Sequence, residues 1–270
     1  MSAGRLAGGD ISAGGGVHMN GCEPVSSGSL ASGDISANSR VPASRFGPAA
    51  CRRPVRGAIS ASMMCADILK LDGQLRTFGA SGVEYLHIDV MDGSFVPNYA
   101  LGTDYVKYLK KATSIPLDIH LMVDRPEDKL EWFDFGENDY VSFHVEATNH
   151  AQRAIRSIKD RGGKAAAAIN PATPLYVLEE MIGELDAVLI MSVNPGYAGQ
   201  RLVGHTVGKA GRLRDAYPEI IIEVDGNISF ENAARMRAAG ADIFVAGTSS
   251  IFMKSAGLEA NIAMLRESIR

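Results

Sequence analysis

The sequence is poor in cysteine, in long apolar runs and in unbalanced charge. Its 270 residues include 3 cysteines, and none of them forms a C-x-x-C pair, which favours a reducing compartment over a disulfide-stabilised fold. No apolar run approaches the roughly 18 residues of a membrane span, so we expect no membrane partner. The 27 basic and 31 acidic residues give a net charge of −4 without a basic block, which argues against nucleic acid as a partner.

Residues 1–56 differ in composition from the rest of the chain. Gly, Ala and Ser occupy 27 of these 56 positions, and Phe46 is the single aromatic residue. Such a segment buries too little apolar area to offset its chain entropy, so we predict a disordered extension. Its Ser- and Arg-rich, acid-poor character leaves two interpretations open. It is a dispensable tail or misassigned start on a cytoplasmic protein, or it is a transit peptide that directs an organelle protein.

From Gly57 onward, short apolar runs alternate with amphipathic segments, which predicts one folded domain over residues 57–270. Near-continuous apolar runs are typical of parallel strands that are buried on both faces. The predicted strands are Ala58–Ser62, Tyr85–Val90, Leu117–Leu121, Tyr140–Val145, Lys164–Ile169, Ala187–Val193, Ile220–Val224 and Ile243–Ala246. Eight strands and eight helices in this length favour an α/β fold of the closed (β/α)8, or TIM, barrel type. A doubly wound open sheet is the alternative, but its glycine fingerprint is absent after the first strand.

Residues of the types that bind metals recur at the ends of the predicted strands. His87 and Asp89 are two positions apart on one strand and therefore point the same way. With His120 and Asp225 they supply two imidazoles and two carboxylates, a set that suits one divalent ion of Zn, Fe, Mn or Co without selecting among them. A buried histidine that only fills the core is the alternative at each position. His144 and Glu146 fit the same periodicity, and whether they join the site or are structural stays open.

Glycine-rich loops follow the last three strands, where barrels of this kind often bind phosphate. The loop after the sixth strand holds Gly196 and Gly199, and Gly226 and Gly247 follow the next two strands. A short helix over Ser249–Met253 is predicted to complete the anion site. Tight turns without a ligand are the alternative interpretation of these glycines. Methionines near the strand ends pack the core or exclude water from a reactive centre.

Six motifs in order resemble the ribulose-phosphate 3-epimerase family across residues 57–270. They are ISASMMCAD from Ile59, HIDVMDGSFVPN from His87, HLMV from His120, NPATP from Asn170, MSVNPGYAGQ from Met191 and EVDG from Glu223. The resemblance implies a barrel of the ribulose-phosphate binding type and a small-molecule ketose phosphate as substrate. We also expect a homo-oligomer.

The resemblance also implies a role for each matching position. His87, Asp89, His120 and Asp225 match the metal ligands, and Asp89 and Asp225 match the acid/base pair. The positions that match substrate contacts are Ser62, His120, Gly196, Tyr197, Ala198, Gly199, Gly226, Asn227, Gly247 and Thr248. Met91, Met122 and Met191 match the methionines that enclose the intermediate.

Four positions depart from the family's common pattern, and none of them is a proposed ligand or proton carrier. Ala61, Ala198, Asn227 and Thr248 stand where proline, glycine, glycine and serine are usual. MMCAD, YAGQ, VDGN and GTSSIF look more like the allulose 6-phosphate 3-epimerase branch. The expected substrate is D-ribulose 5-phosphate, and D-allulose 6-phosphate is the alternative.

The expected reaction inverts carbon 3 of a 2-keto sugar phosphate. One carboxylate removes the proton α to the carbonyl to give a cis-enediolate, and a carboxylic acid returns a proton to the other face. A divalent ion stabilises the developing charge. A decarboxylase, a metal-dependent hydrolase and a non-catalytic sugar-phosphate-binding barrel are the competing interpretations. The decarboxylase requires a lysine among its carboxylates, and no lysine lies at these strand ends.

Overall fold

In the computed structural model, the described part of the chain comprises residues 56–270, and its parallel strands close into a barrel. Closure is visible in β1, which pairs in parallel with both β2 and β9. The parallel strands are β1 Ala58–Ser62, β2 Tyr85–Asp92, β4 Leu117–Met122, β5 Tyr140–His144, β6 Lys164–Ile169, β7 Ala187–Met191, β8 Ile221–Asp225 and β9 Ile243–Ala246. The short strand β3 (Tyr99–Ala100) pairs antiparallel with the end of β2. The eight-stranded barrel prediction is confirmed, and the predictions for residues 1–55 lie outside the described residues.

Helices connect most of the parallel strands and pack on the outside of the barrel. They are α1 Leu71–Ala80, α2 Thr103–Ala112, α3 Ala151–Asp160, α4 His205–Ala216, α5 Phe230–Ala238 and α6 Leu258–Ser268. Ser229 caps the N-terminus of α5, since its side chain accepts a hydrogen bond from the Asn232 N–H at 3.2 Å. In α3 the buried face is formed by Ala154, Ile155 and Ile158. Each fully buried aliphatic side chain contributes about 1.5–3 kcal/mol.

The prediction of eight helices is wrong for two connections within residues 56–270. The chain after β4 forms the 3₁₀ turns Pro126–Asp128 and Leu130–Trp132, and the chain after β6 forms Leu175–Leu178 and Ile182–Glu184. Arg125 adopts a left-handed φ of 46° before Pro126, and prolines at 171 and 174 precede the second pair. The backbone hydrogen bonds in these segments span three residues, as from the Lys129 N–H to the Pro126 carbonyl and from the Met181 N–H to the Leu178 carbonyl, both at 3.0 Å. Each segment therefore forms separate 3₁₀ turns instead of an α-helix.

Further 3₁₀ turns follow a strand or precede a helix. Met63–Cys65 and Val145–Ala147 follow β1 and β5, and Ile68–Lys70 precedes α1.

The predicted helix over Ser249–Met253 is absent. Residues 248–252 are turns instead of a helix. The carbonyl of Gly247 accepts hydrogen bonds from the N–H groups of both Ser250 and Phe252, at 3.1 and 3.2 Å. Because both N–H groups bond to the same carbonyl, the segment closes into a compact loop and does not continue as a helix.

Strand register brings the predicted ligands to one level of the barrel. Asp89 on β2 lies beside His120 on β4, and Asp225 on β8 lies beside Met191 on β7. Ser62 on β1 is the register partner of His87. Because side chains alternate along a strand, residues two apart share the interior face. Parallel pairing therefore gathers polar side chains inside an otherwise apolar barrel.

Candidate active site

Four polar side chains converge inside the barrel near the carboxyl ends of its strands. Ligand-type atoms of His87, Asp89, His120 and Asp225 all lie within 4.8 Å of one another. Oδ1 of Asp89 is 3.3 Å from Nε2 of His87 and 3.4 Å from Nδ1 of His120. Oδ2 of Asp225 is 4.0 Å from each of the same two nitrogens. Two carboxylates and two imidazoles thus surround one point, as the sequence predicts.

The two ring nitrogens that face this point are buried and unpaired. Nε2 of His87 and Nδ1 of His120 have no hydrogen-bond partner among residues 56–270. A buried polar atom without a partner costs roughly 1–3 kcal/mol. A divalent cation would remove that cost, because neutral imidazole nitrogen and carboxylate oxygen are ligands of Zn²⁺ and similar ions. The residues present therefore fit a metal ion.

The other nitrogen of His87 contacts a carboxylate that the sequence analysis does not identify. Nδ1 of His87 lies 2.6 Å from Oδ2 of Asp118, which also accepts a hydrogen bond from the Ser60 hydroxyl at 2.7 Å. Glu223 lies on the other side, with Oε1 at 3.7 Å from the same nitrogen. The sequence does contain a signal for both carboxyl groups. Asp118 stands two residues before His120 and Glu223 two residues before Asp225, so each points to the same side of its strand as a predicted ligand.

The other nitrogen of His120 meets a second histidine. Nε2 of His120 lies 3.0 Å from Nε2 of His144, and Nδ1 of His144 lies 3.1 Å from Oε2 of Glu146. His144 is fully buried at the end of β5. Of the two residues that the sequence left open, His144 therefore contacts the four-residue set directly, and Glu146 reaches it only through His144.

Burial and neighbouring charges push the two central carboxyl groups in opposite directions. Burial raises the pKa of Asp225 to about 6; the negative charge of Asp89 adds to this, and His87 opposes it. Burial acts the same way on Asp89, but the positive charge of His87 and the close contacts of both histidine rings with Oδ1 outweigh it and lower the pKa of this carboxyl. Two adjacent carboxyls whose pKa values diverge are suited to act as an acid and a base.

The surrounding ionisable groups are also perturbed. Burial lowers the pKa of His144 to about 4, despite its bond to Glu146, so this ring is neutral at pH 7. Burial by itself would lower the pKa of His87, but the carboxylates of Asp118 and Asp89 raise that pKa well above its usual value. Burial, reinforced by the charge of Asp118, raises the pKa of Glu223 well above its usual range.

A cavity above this centre is lined by fourteen of the sixteen residues that the sequence assigned to the site. His87 and His120 lie beneath it and are fully buried. The fourteen lining residues are Ser62, Asp89, Met91, Met122, Met191, Gly196, Tyr197, Ala198, Gly199, Asp225, Gly226, Asn227, Gly247 and Thr248.

Residues 58–252 match the family model described as the ribulose-phosphate 3 epimerase family. The chain belongs to the ribulose-phosphate 3-epimerase family. It is 38% identical over 195 residues to a ribulose-phosphate 3-epimerase of Treponema pallidum, covering 71% of this chain and 89% of that one. It is 40% identical over 197 residues to a chloroplastic ribulose-5-phosphate-3-epimerase of Arabidopsis thaliana, covering 71% and 70%.

A solved structure also shares the barrel. It is the 3-hexulose-6-phosphate synthase of Salmonella typhimurium, which matches with a TM-score of 0.60 over 78% of this chain and 98% of that one. At 11% sequence identity this likeness concerns the fold alone. The resemblance stated from the motifs is confirmed, and so is the prediction of an isomerase of this family that acts on carbohydrates.

Hydrogen bonds hold the loops that the sequence predicts to bind phosphate. The Asn98 amide donates to the carbonyl of Gly196 at 2.9 Å, and the Tyr197 hydroxyl donates to the carbonyl of Pro97 at 2.7 Å. The Asn227 amide donates to the carbonyl of Gln200 at 2.7 Å. This hydrogen bond to a neighbouring loop constrains the Asn227 side chain, which the sequence analysis predicts to lie beside the substrate phosphate.

Gly226 occupies a position that only glycine fits well. Its φ is +110°, and a Cβ there would lie 2.5 Å from Cγ2 and 2.9 Å from N of Val193. The loops after β7 and β8 therefore approach each other closely at Val193 and Gly226 because Gly226 has no side chain.

Buried methionines cover the other side of the cavity. Met91, Met122 and Met191 are each 5% exposed or less, and Met64 and Phe95 pack beside the first two. The Ser62 hydroxyl donates to Oδ2 of Asp89 at 3.3 Å. The site is thus polar at the centre, apolar on one side and backbone-rich on the other.

Proposed function

We propose that this protein interconverts D-ribulose 5-phosphate and D-xylulose 5-phosphate by metal-dependent epimerisation at C3. The observation that carries the proposal is the placement of Asp89 and Asp225 at one buried centre with divergent pKa values. The names of the relatives from Treponema pallidum and Arabidopsis thaliana support the same substrate.

In the proposed reaction, the two aspartates move the proton at C3. One carboxylate removes it from one face of the sugar to give a cis-enediolate, and the other, protonated, returns a proton to the opposite face. The direction of the reaction decides which aspartate is the base. Ser62 holds Asp89 by its hydrogen bond to Oδ2, which leaves Oδ1 toward the two histidines.

We propose that His87, Asp89, His120 and Asp225 hold one divalent ion, of Zn, Fe, Mn or Co. When bound, this ion supplies Lewis-acid stabilisation of the negative charge that develops on the substrate oxygens. With the ion bound, the histidines would act as neutral ligands through the two nitrogens that are unpaired in residues 56–270, because the cation would replace the proton that the neighbouring carboxylates favour on His87. The methionine side chains exclude water, which protects the intermediate from side reactions.

The phosphate is proposed to bind at the loops around Gly196–Gly199, Gly226–Asn227 and Gly247–Thr248. Gly196, Gly199 and Gly226 have positive φ angles, which turn backbone N–H groups into concave anion-binding loops. Tyr197 and Ala198 complete the first of these loops and line the cavity. This arrangement supports a phosphate end opposite the carboxylates.

D-Allulose 6-phosphate is the second candidate substrate, because Asn227 places a side chain in a proposed phosphate loop and is tied to Gln200. Two measurements test both candidates. Each sugar phosphate is incubated with the protein in D₂O and deuterium at C3 is followed by NMR, and kcat/KM is compared for the two. Deuterium incorporation into ribulose 5-phosphate is expected. A preference above about tenfold for allulose 6-phosphate would overturn the pentulose assignment, and no exchange with either would overturn epimerisation.

We propose a catalytic domain over residues 57–270, a dispensable extension over residues 1–56 and a homo-oligomeric assembly. Among residues 56–270, no helix is long and apolar enough to cross a membrane. A cytoplasmic location is proposed, with an organelle as the alternative if residues 1–56 are a transit peptide; imaging of full-length and truncated fusions distinguishes the two.

A further inference from the structure

His144 and Glu146 extend the polar centre away from the cavity. The rings of His120 and His144 stack with centroids 5.1 Å apart and planes inclined by 29°. Their Nε2 atoms are 3.0 Å apart, and Nδ1 of His144 is 3.1 Å from Oε2 of Glu146. A continuous row of hydrogen-bond distances therefore runs from His120 to a carboxylate that is not part of the four-residue set.

The proton positions on His120 and His144 follow from what each end of the row requires: a lone pair toward the shared centre and a donor toward Glu146. Nδ1 of His120 faces Asp89 and the shared centre, so a lone pair must lie there if a cation is to bind. A neutral His120 then carries its proton on Nε2 and donates to Nε2 of His144. Neutral His144 in turn carries its proton on Nδ1 and donates to Glu146. Every donor meets an acceptor in this arrangement, and reversing one ring would bring two donors or two acceptors together.

Glu146 is itself held at a fixed point. Its Oε1 accepts hydrogen bonds from the N–H of Asn170 at 2.8 Å and from the hydroxyl of Thr173. The Lys209 ammonium donates to the carbonyls of Asn170 and Thr173, at 2.9 and 2.6 Å, and so fixes the turn that carries both donors. With Oε1 occupied by these donors, Oε2 is directed to His144.

We propose that Glu146 is a positioning residue that, through His144, sets the tautomer and ring orientation of His120 for divalent-cation binding. The inference rests on the metal site of the proposed function. It gives the two ligating histidines different supports, since His87 contacts the carboxylate of Asp118 directly while His120 reaches its carboxylate through a second imidazole. Outer partners of this kind commonly change metal affinity by about 10–100-fold when removed.

Glu146→Gln tests this arrangement with almost no change in shape. The amide oxygen is needed by the Asn170 N–H, so the NH₂ group faces His144. Nδ1 of His144 must then accept, its proton moves to Nε2, and His120 is forced to carry its proton on Nδ1, where the cation would bind. We expect the Co²⁺ affinity of metal-stripped protein, measured by competition with a chelating dye, to fall by about 10–100-fold. The visible spectrum of bound Co²⁺ should also shift.

Asp139→Asn and Thr173→Ala are the matched controls. Asp139 is a buried carboxylate outside the set, paired with Lys110 at 2.6 Å, so its replacement should lower the melting temperature and leave Co²⁺ affinity within about twofold. Thr173→Ala removes one donor from Glu146 but keeps its charge and its bond to His144, so affinity should change by less than about threefold. Equal losses in Asp139→Asn and Glu146→Gln would show general destabilisation and overturn the inference.

Histidine ¹⁵N NMR of the Zn²⁺-loaded wild-type protein supplies a test that needs no variant. We expect the proton of His144 on Nδ1 and that of His120 on Nε2; the opposite tautomers would overturn the inference. Wild-type protein that binds no divalent metal would overturn the proposed function together with this inference. Wild-type protein that binds Co²⁺, with a folded Glu146→Gln variant of equal affinity, would overturn the inference alone.

Discussion

Asp89 and His120 are direct neighbours in the register of β2 and β4, and Oδ1 of the aspartate lies 3.4 Å from Nδ1 of the histidine. The other carboxylate oxygen, Oδ2, accepts a hydrogen bond from Ser62 at 3.3 Å. Asp89 therefore presents one oxygen to the proposed metal site and holds the other against β1. This division of the carboxylate supports the two proposed roles of Asp89, as a metal ligand and as a proton carrier.

Replacing either central aspartate should abolish most of the activity. Asp89→Asn and Asp225→Asn each remove a proton carrier, which typically contributes about 10²–10⁴-fold, and each also weakens the metal set. The measurement is kcat with ribulose 5-phosphate, alongside the rate of C3 deuterium exchange. Asp104→Asn is the control, because Asp104 lies on α2 with 99% of its side chain exposed. Retention of more than about a tenth of the wild-type rate in Asp89→Asn would exclude Asp89 as a proton carrier.

Removal of the metal should stop the reaction and lower the melting temperature. The unpaired nitrogens of His87 and His120 would return to an unsatisfied state. A ligand at 100 times its dissociation constant stabilises the folded state by about 2.7 kcal/mol. The measurement is C3 exchange and thermal unfolding before chelation, after chelation and after re-addition of Zn²⁺, Mn²⁺, Fe²⁺ or Co²⁺. Undiminished exchange in metal-free protein would remove the ion from the mechanism.

Gly226→Ala should destabilise the protein and raise KM. The added Cβ would lie 2.5 Å from Cγ2 of Val193, at a φ of +110° that side chains avoid, and strain of this kind costs about 1–3 kcal/mol. Gly211→Ala is the control: Gly211 lies within α4, and a Cβ added there would have no described atom within 4 Å outside the adjacent backbone of its own helix. That substitution should stabilise the protein by about 1 kcal/mol. Equal melting temperatures in the two variants would contradict the close approach of Gly226 to Val193.

Asn227→Gly should shift the substrate preference toward the pentulose phosphate. Asn227 has a φ of +51°, which glycine adopts freely, so the change removes the side chain and its bond to Gln200 without backbone strain. We expect the ratio of kcat/KM for ribulose 5-phosphate to that for allulose 6-phosphate to rise by at least about threefold. In the control Asp104→Asn, on α2 with 99% of the side chain exposed, Asn227 and its contacts are untouched, so the ratio should stay constant. An unchanged ratio in Asn227→Gly would show that this loop does not select the substrate.

Deletion of residues 1–56 should leave activity and melting temperature nearly unchanged. Their composition, with 27 of 56 positions Gly, Ala or Ser, supplies little apolar area for a core. β1 begins at Ala58, after the deleted segment. The measurement compares full-length and truncated protein by thermal unfolding and steady-state kinetics. A drop of more than about 5 °C in the truncated protein would assign a structural role to the extension.

Strand positions are predictable in this chain because buried parallel strands form continuous apolar runs. Lys164–Ile169 and Ile243–Ala246 agree with the structure at both ends, and the strand that ends at His144 is one residue shorter than predicted. The connections after β4 and β6 are not α-helices, because their backbone hydrogen bonds span three residues and form separate 3₁₀ turns. Asp118 and Glu223 lie one layer deeper than the strand ends, so a search for polar residues at those ends does not find them.

The sequence by itself determined the family, the barrel and the four ligand-type residues, because residue types along a strand dictate what faces inward at each level. Only the tertiary structure decided that His87 and His120 present different ring nitrogens to the centre, and that His144 and Glu146 support one of them. The tie between Asn227 and Gln200 is likewise a tertiary feature. These contacts join residues 24 or more positions apart in the chain, except for the local bond between His144 and Glu146. Their geometry depends on how neighbouring strands and loops pack, which no local pattern encodes.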